Sequence, residues 1–282
     1  MQEALRATVL IDPERPKVKE SEVARTLRSA GISLSHRNAD FGVVVGGDGI
    51  FSYYGRLISI PLLFVGVRSQ EPTSSRGYLA ELYIDSLPAG LAEIKRNHFD
   101  VVEYKRMQVA IDRVNRGDFF TDVYLEKGAD SNALRYKVTV KQEGSTFTDS
   151  AIANGVIVCT SAGSTGYYSY VDKLRMGDWF EPKRYTVIGE NEVGVCHIAP
   201  VFTSRGDEPE PPLRYTVPWG STFEISLTRD ADARLFGLTK SRQGIRIRVG
   251  DRVSIRPSRR TTRVIKLGPI PAGESVPERR PK

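Results

Sequence analysis

FGVVVGGDGIFS, Phe41 to Ser52, is the stretch whose reading decides the fold. Val43-Val44-Val45 is an unbroken apolar run, the pattern of a buried strand. It ends in Gly46-Gly47-Asp48-Gly49, and an apolar-aromatic segment follows. Glycines around a single acid allow close backbone approach and dihedrals that a side chain would forbid. They also place one carboxylate at the mouth of a strand, where open α/β sheets hold their ligands. The same residues read equally well as a tight strand-to-helix turn with an acidic cap.

Working outward, Ala7–Ile11 and Pro61–Val67 read as further apolar strands. Lys17–Ala30, Ile50–Leu57 and Leu87–Asn97 read as helices. Strands interleaved with helices predict a parallel α/β domain over residues 1–100. Beyond it the pattern becomes short strands: 107–112, 122–125, 136–142, 155–159, 186–189, 222–227, 245–249, 252–255 and 263–267. Turn residues such as Asn115-Arg116-Gly117-Asp118 and Glu143-Gly144-Ser145 separate them. The fold class expected is α/β plus all-β: an N-terminal parallel α/β domain, then a C-terminal antiparallel β-sandwich-like domain over residues 101–267. Residues 268–282, rich in Pro, Gly and charge, read as a disordered tail.

The chain has 282 residues, 40% of them hydrophobic, enough for packed cores. No apolar run reaches the roughly 18 residues of a membrane span, and the N-terminus lacks a signal-peptide layout. A soluble, cytoplasmic protein is expected, with no membrane partner. Cys159 and Cys196 sit in apolar runs without metal spacing. His36, His98 and His197 are scattered, so no metal site is expected. The net charge is +7, but residues 240–282 alone carry thirteen Lys/Arg against three acids. The excess is therefore a local stripe, and nucleic acid is not expected as a partner. Ile245-Arg246-Ile247-Arg248-Val249 alternates strictly, which puts cations along one strand face.

A second loop follows a buried strand: Thr160-Ser161-Ala162-Gly163-Ser164-Thr165-Gly166, then Tyr167. Small hydroxyl residues mixed with glycine can present N–H and O–H groups to phosphate or ribose oxygens. The Gly-Lys-Ser/Thr ending of a Walker loop is missing. The alternative is a Ser/Thr-rich connection that satisfies its own backbone. Two such loops, one carrying an acid, favour a nucleotide site.

These residues resemble the NAD kinases, in the superfamily that includes the diacylglycerol kinases. Gly46-Gly47-Asp48-Gly49 is similar to that family's GGDG motif, and residues 160–167 to its TPTGSTAY segment. Arg76–Glu81, Arg106-Met107 and Gly250-Asp251-Arg252-Val253 hold the register of the likeness, which spans roughly residues 5 to 267. The resemblance implies a kinase that moves a phosphoryl group from ATP or inorganic polyphosphate to the 2′-hydroxyl of the NAD adenosine ribose. It implies Asp48 as the base, and Gly46, Gly47, Gly49, Thr160, Gly163, Ser164 and Thr165 as nucleotide or phosphate contacts. It implies Asp122, Asn154, Tyr167 and Tyr170 on the NAD side. Mg²⁺ would arrive with the donor, and a homodimer or homotetramer is implied. Asp48 and the 163–165 loop would face one cleft, with Asp122 across it.

This sequence departs from the family in the nucleoside pocket. The family's Asn-Glu pair falls on Thr121-Asp122, an Asp falls on Asn154, and a small hydroxyl falls on Tyr170. Val171-Asp172-Lys173 stands where the family has GGP. Lys240 and Arg242 are candidates to neutralise a donor. Two alternatives stay open: a related kinase for another nucleoside, sugar or lipid, and a non-catalytic nucleotide-binding protein.

Overall fold

The computed structural model describes residues 5–12, 14, 17–67, 77–129, 132–176, 186–206, 208, 211–239 and 243–268. The chain divides into two compact units, Met1–Tyr104 with Thr261–Lys282, and Lys105–Arg260.

The first unit is a parallel sheet with helices on both faces. Its elements are β1 (Arg6–Ile11), α1 (Glu20–Ser29), β2 (Ser33–Leu34), β3 (Phe41–Gly46), α2 (Asp48–Leu57), β4 (Leu62–Gly66), β5 (Leu82–Tyr83) and α3 (Leu87–Lys95). The strand order is β2-β1-β3-β4, all parallel, with Val43 opposite Val9 and Leu63. Val43, Val44, Leu62, Leu63 and Val65 are each 0% exposed. A continuous apolar run suits such a strand because it is covered on both faces. Val23 and Leu27 of α1 and Leu87, Leu91 and Ile94 of α3 pack with Val43, Val45, Leu63 and Val65. α2 covers the other face, where Phe51 stacks on Phe64 at 4.7 Å between centroids.

The second unit is built from antiparallel strands. β6 (Phe99–Ile111) enters it, followed by β7 (Val114–Phe119), β8 (Asp122–Lys127), β9 (Leu134–Gln142), β10 (Ser145–Ala153) and β11 (Gly155–Cys159). α4 (Tyr170–Met176) follows, then β12 (Glu192–Ile198), β13 (Phe202–Arg205), β14 (Arg214–Pro218), β15 (Thr222–Leu227), β16 (Ala233–Phe236), β17 (Ile245–Ile247) and β18 (Val253–Leu267). One sheet runs β13-β10-β9-β15-β18-β6-β7, the other β14-β12-β11-β8-β16-β17. Their inner faces meet in one core, with Tyr136, Val138 and Val140 of β9 packed with Val123, Leu125, Val156 and Val158. The end of β18 belongs to the first unit, where Val264 pairs in parallel with Leu62 of β4.

The expected α/β-then-antiparallel class is what the fold displays. Two local readings are corrected. The predicted turn at Asn115–Asp118 lies inside β7; the hairpin turns instead at Asp112 and Arg113, with φ of 49° and 67°. Arg252 compensates: its N–H donates to Asp112 Oδ1, and its carbonyl accepts the Asp112 N–H. The predicted strand at 186–189 is a strap. Its N–H groups go to side chains, Thr186 to Asp172 and Ile188 to Ser164 Oγ, so no sheet ladder forms. The expected disordered tail from residue 269 on, along with Arg76, Lys240, Ser241 and Arg242, lies outside the described residues.

Candidate functional site

Asp48 is the first residue of α2, and Gly47 takes the capping position. A carboxylate there lies in the favourable field of the helix N-terminus. It does not cap its own helix. Oδ1 accepts the Leu79 N–H at 2.9 Å and Oδ2 the Tyr78 N–H at 3.1 Å. The acidic-cap reading is thereby corrected: the side chain reaches the segment after Gly77, whose φ of 62° turns the chain toward it. These two bonds orient the carboxylate toward the Gly77–Leu79 segment.

The glycines beside it serve close approach and not unusual dihedrals. Gly47 has φ −114° and ψ −179°, and Gly46 and Gly49 also avoid the left-handed region. A Cβ on Gly46 would sit 3.0 Å from Ile50 Cβ, whereas one on Gly49 would meet nothing within 4 Å. Gly49 therefore leaves open space over the helix start. A small cavity of about 40 Å³ lies beside Gly46 and Gly47, lined also by Asp12, Lys17 and Ile50.

In the second unit the hydroxyl-rich loop is largely engaged in holding itself. Thr160 is 1% exposed, and its Oγ1 donates toward the carbonyls of Phe120 (2.7 Å) and Thr121 (3.1 Å). Ser164 is 2% exposed; its Oγ donates to Ser161 O and accepts the Ile188 N–H. Gly163 sits where a Cβ would lie 2.5 Å from Thr121 O and 2.6 Å from Cys159 Sγ. Ser161, Thr165 and Gly166 keep contact with solvent, and of the expected loop contacts Thr165 is the one that is not buried.

Asp122, Tyr124 and Glu126 alternate along β8 and share its outer face. Asp122 accepts the Thr121 hydroxyl at 2.9 Å, and burial pushes its pKa up to about 6 despite that bond. Tyr167 donates to Glu126 Oε1 at 3.0 Å, and its ring meets Tyr124 edge-on at 5.2 Å and Tyr170 at 5.9 Å. Tyr124 stacks on Phe236 of β16 at 5.2 Å and 20°. The result is an aromatic wall running Phe236–Tyr124–Tyr167–Tyr170. The Tyr170 hydroxyl donates to His197 O at 2.6 Å and accepts the Ala199 N–H at 3.1 Å, with Ala199 held at φ 42°. Asn154 lies between β10 and β11, its main chain bonded to Ile198 O and the Lys127 N–H. It sits at the opposite end of β11 from Thr160, near Glu126, which pairs with Gly155. Asp122, Tyr167 and Tyr170 thus belong to one face of the smaller sheet, and Asn154 flanks its far edge.

Sequence reading missed the residues that set this face. Asp172, singled out only as a departure, accepts a bidentate pair from Arg214 (2.8 and 2.6 Å) and both the N–H and hydroxyl of Thr186. It ties α4, the strap and β14 together. Burial would raise the Asp172 pKa, but these bonds bring it below the ordinary carboxylate range. Glu126 and Tyr124 were legible as an alternating pair, but nothing local connects them to Tyr167. Deeper, Asp149 (0% exposed) accepts from Arg205, Tyr215 (2.5 Å) and His197 (3.3 Å), while His197 Nδ1 meets the Tyr136 hydroxyl at 2.8 Å. Burial raises the Asp149 pKa, and the three partners outweigh it, giving about 2. His197 and both cysteines are buried. Arg246 and Arg248 are exposed, but β17 ends at Ile247 and Val249 is 46% exposed, so the strict alternation expected over residues 245–249 does not extend past Ile247.

Among the described residues no three His, Cys, Asp or Glu side chains gather around one point, and no helix is long and apolar enough to cross a membrane.

No protein-family model matches the chain. It is 27% identical over 190 residues to the NAD kinase of Picrophilus torridus, across 67% of this chain and 63% of that protein. It is 28% identical over 170 residues to the NAD kinase of Pseudomonas fluorescens, across 56% and 54%. The chain thus spans less than two thirds of the length of these curated relatives. Among solved structures, yeast NADH kinase complexed with NADH superposes with TM-score 0.67 at 13% identity, over 94% of this chain and 84% of that one. An NAD kinase from Archaeoglobus fulgidus in complex with ATP gives 0.63 at 16% identity, over 92% and 93%. Both likenesses establish a shared two-domain fold.

Proposed function

We propose that this divergent relative of the NAD kinases is itself a phosphotransferase, moving a phosphoryl group from ATP to the 2′-hydroxyl of the NAD adenosine ribose to give NADP. The observation that carries the reading is the Asp48 carboxylate, held by two backbone N–H groups at the carboxyl end of a parallel strand. In-line phosphoryl transfer to an alcohol needs a positioned base and little covalent chemistry from the protein. Asp48 accepts the 2′-hydroxyl proton, while Tyr78 and Leu79 keep the carboxylate from turning away. Gly49 leaves the space the acceptor occupies.

The second unit supplies recognition. The aromatic wall offers faces for a planar base, Asp122 a carboxylate for ribose hydroxyls, and Thr165 a hydroxyl for a phosphate or ribose oxygen. Mg²⁺ would come as part of the donor complex, held mostly by phosphate oxygens, since Mg²⁺ is content with few protein carboxylates. Inorganic polyphosphate is the alternative donor, and a cytoplasmic homodimer or homotetramer the form proposed.

The test is NADP formation from NAD by purified protein, with Mg²⁺ and ATP or polyphosphate. Clean, folded protein that makes no NADP with either donor overturns the reading. A second reading is favoured by one observation: the Tyr170 hydroxyl is tied to the main chain, so its ring holds a position open to a small side chain in the resembling family. On that reading the same chemistry acts on another alcohol, and a panel of nucleosides, sugars and lipid head groups would reveal the acceptor.

A further inference from the structure

Glu126 is a carboxylate set among aromatic rings and not neutralised by the cation nearest in register. Arg234 stands directly across from it on β16. The Arg234 guanidinium turns away, to Asp232 Oδ1 at 3.0 Å and Gln243 O at 3.0 Å. Arg246 lies one strand further out on the same face, opposite Arg234, and its charge helps to lower the Asp232 pKa. Glu126 Oε1 accepts the Tyr167 hydroxyl, and Oε2 has no partner among the described residues. The hydroxyl bond also fixes the Tyr167 ring edge-on to Tyr124, which in turn stacks on Phe236. Glu126, Tyr124, Tyr167 and Phe236 are all half-buried, so each keeps part of its surface in contact with solvent.

The faces of phenol and benzene rings carry partial negative charge and attract cations, most strongly when the site is partly desolvated. A carboxylate with an open oxygen beside three such rings adds full negative charge to the same patch. A flat ring with a delocalised positive charge fits both features at once. A neutral ring of the same size gains only the stacking.

We propose that Glu126, Tyr124, Tyr167 and Phe236 form a subsite for the oxidised pyridinium ring of the dinucleotide, and that it makes the protein select NAD⁺ over NADH. This rests on the acceptor assigned under Proposed function. The dihydropyridine ring of NADH is neutral and not aromatic, so it forfeits the attraction. Glu126 acts as a specificity residue in two ways: its charge meets the pyridinium, and its bond to Tyr167 holds the ring in place. The same fold is compatible with a reduced ligand, as the yeast NADH kinase complex demonstrates for that protein. The choice therefore lies in side chains of this face.

The experiment measures binding first, so that it does not depend on turnover. Titrations of the full chain with NAD⁺ and NADH, followed by calorimetry, are expected to give affinities differing on the order of tenfold in favour of NAD⁺. The ratio should collapse toward one in Glu126→Gln and in Tyr124→Leu, with the circular dichroism and melting transition of each variant confirming that it folds. Parallel titrations use 1-methylnicotinamide, a cation, and neutral nicotinamide; the cation is expected to bind more tightly, and only when Glu126 is present. Equal affinities for the oxidised and reduced dinucleotides, or a preference unchanged in Glu126→Gln, overturn the proposal. If neither dinucleotide binds, the acceptor reading falls, and the methylnicotinamide pair alone decides the subsite: cation preference lost in Glu126→Gln supports it, and its absence overturns it.

Discussion

The Leu79 N–H donates to Asp48 Oδ1 at 2.9 Å across 31 residues of chain, and Tyr78 N–H takes the other oxygen. A side chain offers one orientation only when both of its oxygens are held. Asp48→Asn keeps the size but lets the amide nitrogen face one of these donors, and it cannot take a proton. Activity is expected to fall by about 10²–10⁴-fold, with a stability loss of about 1–2 kcal/mol from the unmatched N–H. Steady-state rates and a urea melt of the same preparation check both. Retained activity in the Asn variant would remove Asp48 from the role of base.

Gly49 and Gly163 make opposite predictions. A Cβ on Gly49 meets nothing within 4 Å, and the residue lies in the first turn of α2. Gly49→Ala should be as stable as the parent, or more so by up to about 1 kcal/mol, and lose activity because the added methyl fills the space assigned to substrate. Gly163→Ala would force a carbon to within 2.5 Å of Thr121 O, so it should lower the melting temperature or prevent folding. Thermal melts and kinetics of the pair distinguish a glycine kept for ligand approach from one kept for packing.

Asp122 should make the protein less stable at neutral pH than in mild acid. Its folded pKa of about 6 lies above the value near 3.9 of an unfolded chain. The folded state therefore binds the proton more tightly. Its contribution is fully favourable below about pH 4 and is lost as the pH rises through 6. Because the side chain keeps some contact with solvent, the effect is expected near 1–2 kcal/mol. Asp122→Asn should melt higher than the parent at pH 7.5 and match it at pH 4. A melting difference independent of pH would show that burial does not govern this carboxylate.

Asp149 carries the opposite sign. Its partners hold the folded pKa at about 2, so the stabilisation is present above about pH 4 and disappears as the pH falls toward 2. Acid unfolding should concentrate in that window. Asp149→Asn at pH 7 should cost about 3–5 kcal/mol, because Arg205 would lose its buried counter-charge. A denaturant midpoint unchanged by the substitution would contradict this.

Much of the fold was legible along the chain. The all-apolar runs of β3, β4 and β11 announced strands covered on both faces, and Val23, Ala24 and Leu27 marked the buried side of α1. Ser145–Ala153 and Glu192–Ile198 were overlooked because polar residues alternate with small ones or sit at buried positions inside the network around Asp149. The 186–189 segment looked like a strand for the converse reason: apolar residues lie there, but side-chain acceptors take its N–H groups.

The same division holds at the candidate site. Sequence alone determined the glycine loop with its acid, the second loop of small hydroxyls, and a strand beginning at Asp122. These follow from residue type and from the two-residue period of a strand, which are local properties. Only the tertiary structure decided that Asp48 is gripped by Tyr78 and Leu79, that Thr160 and Ser164 turn their hydroxyls inward, and that Tyr167 meets Glu126 across 41 residues. Such meetings depend on which strands pair and in what register, and register is chosen by the packing of whole sheets and not by any short stretch of chain.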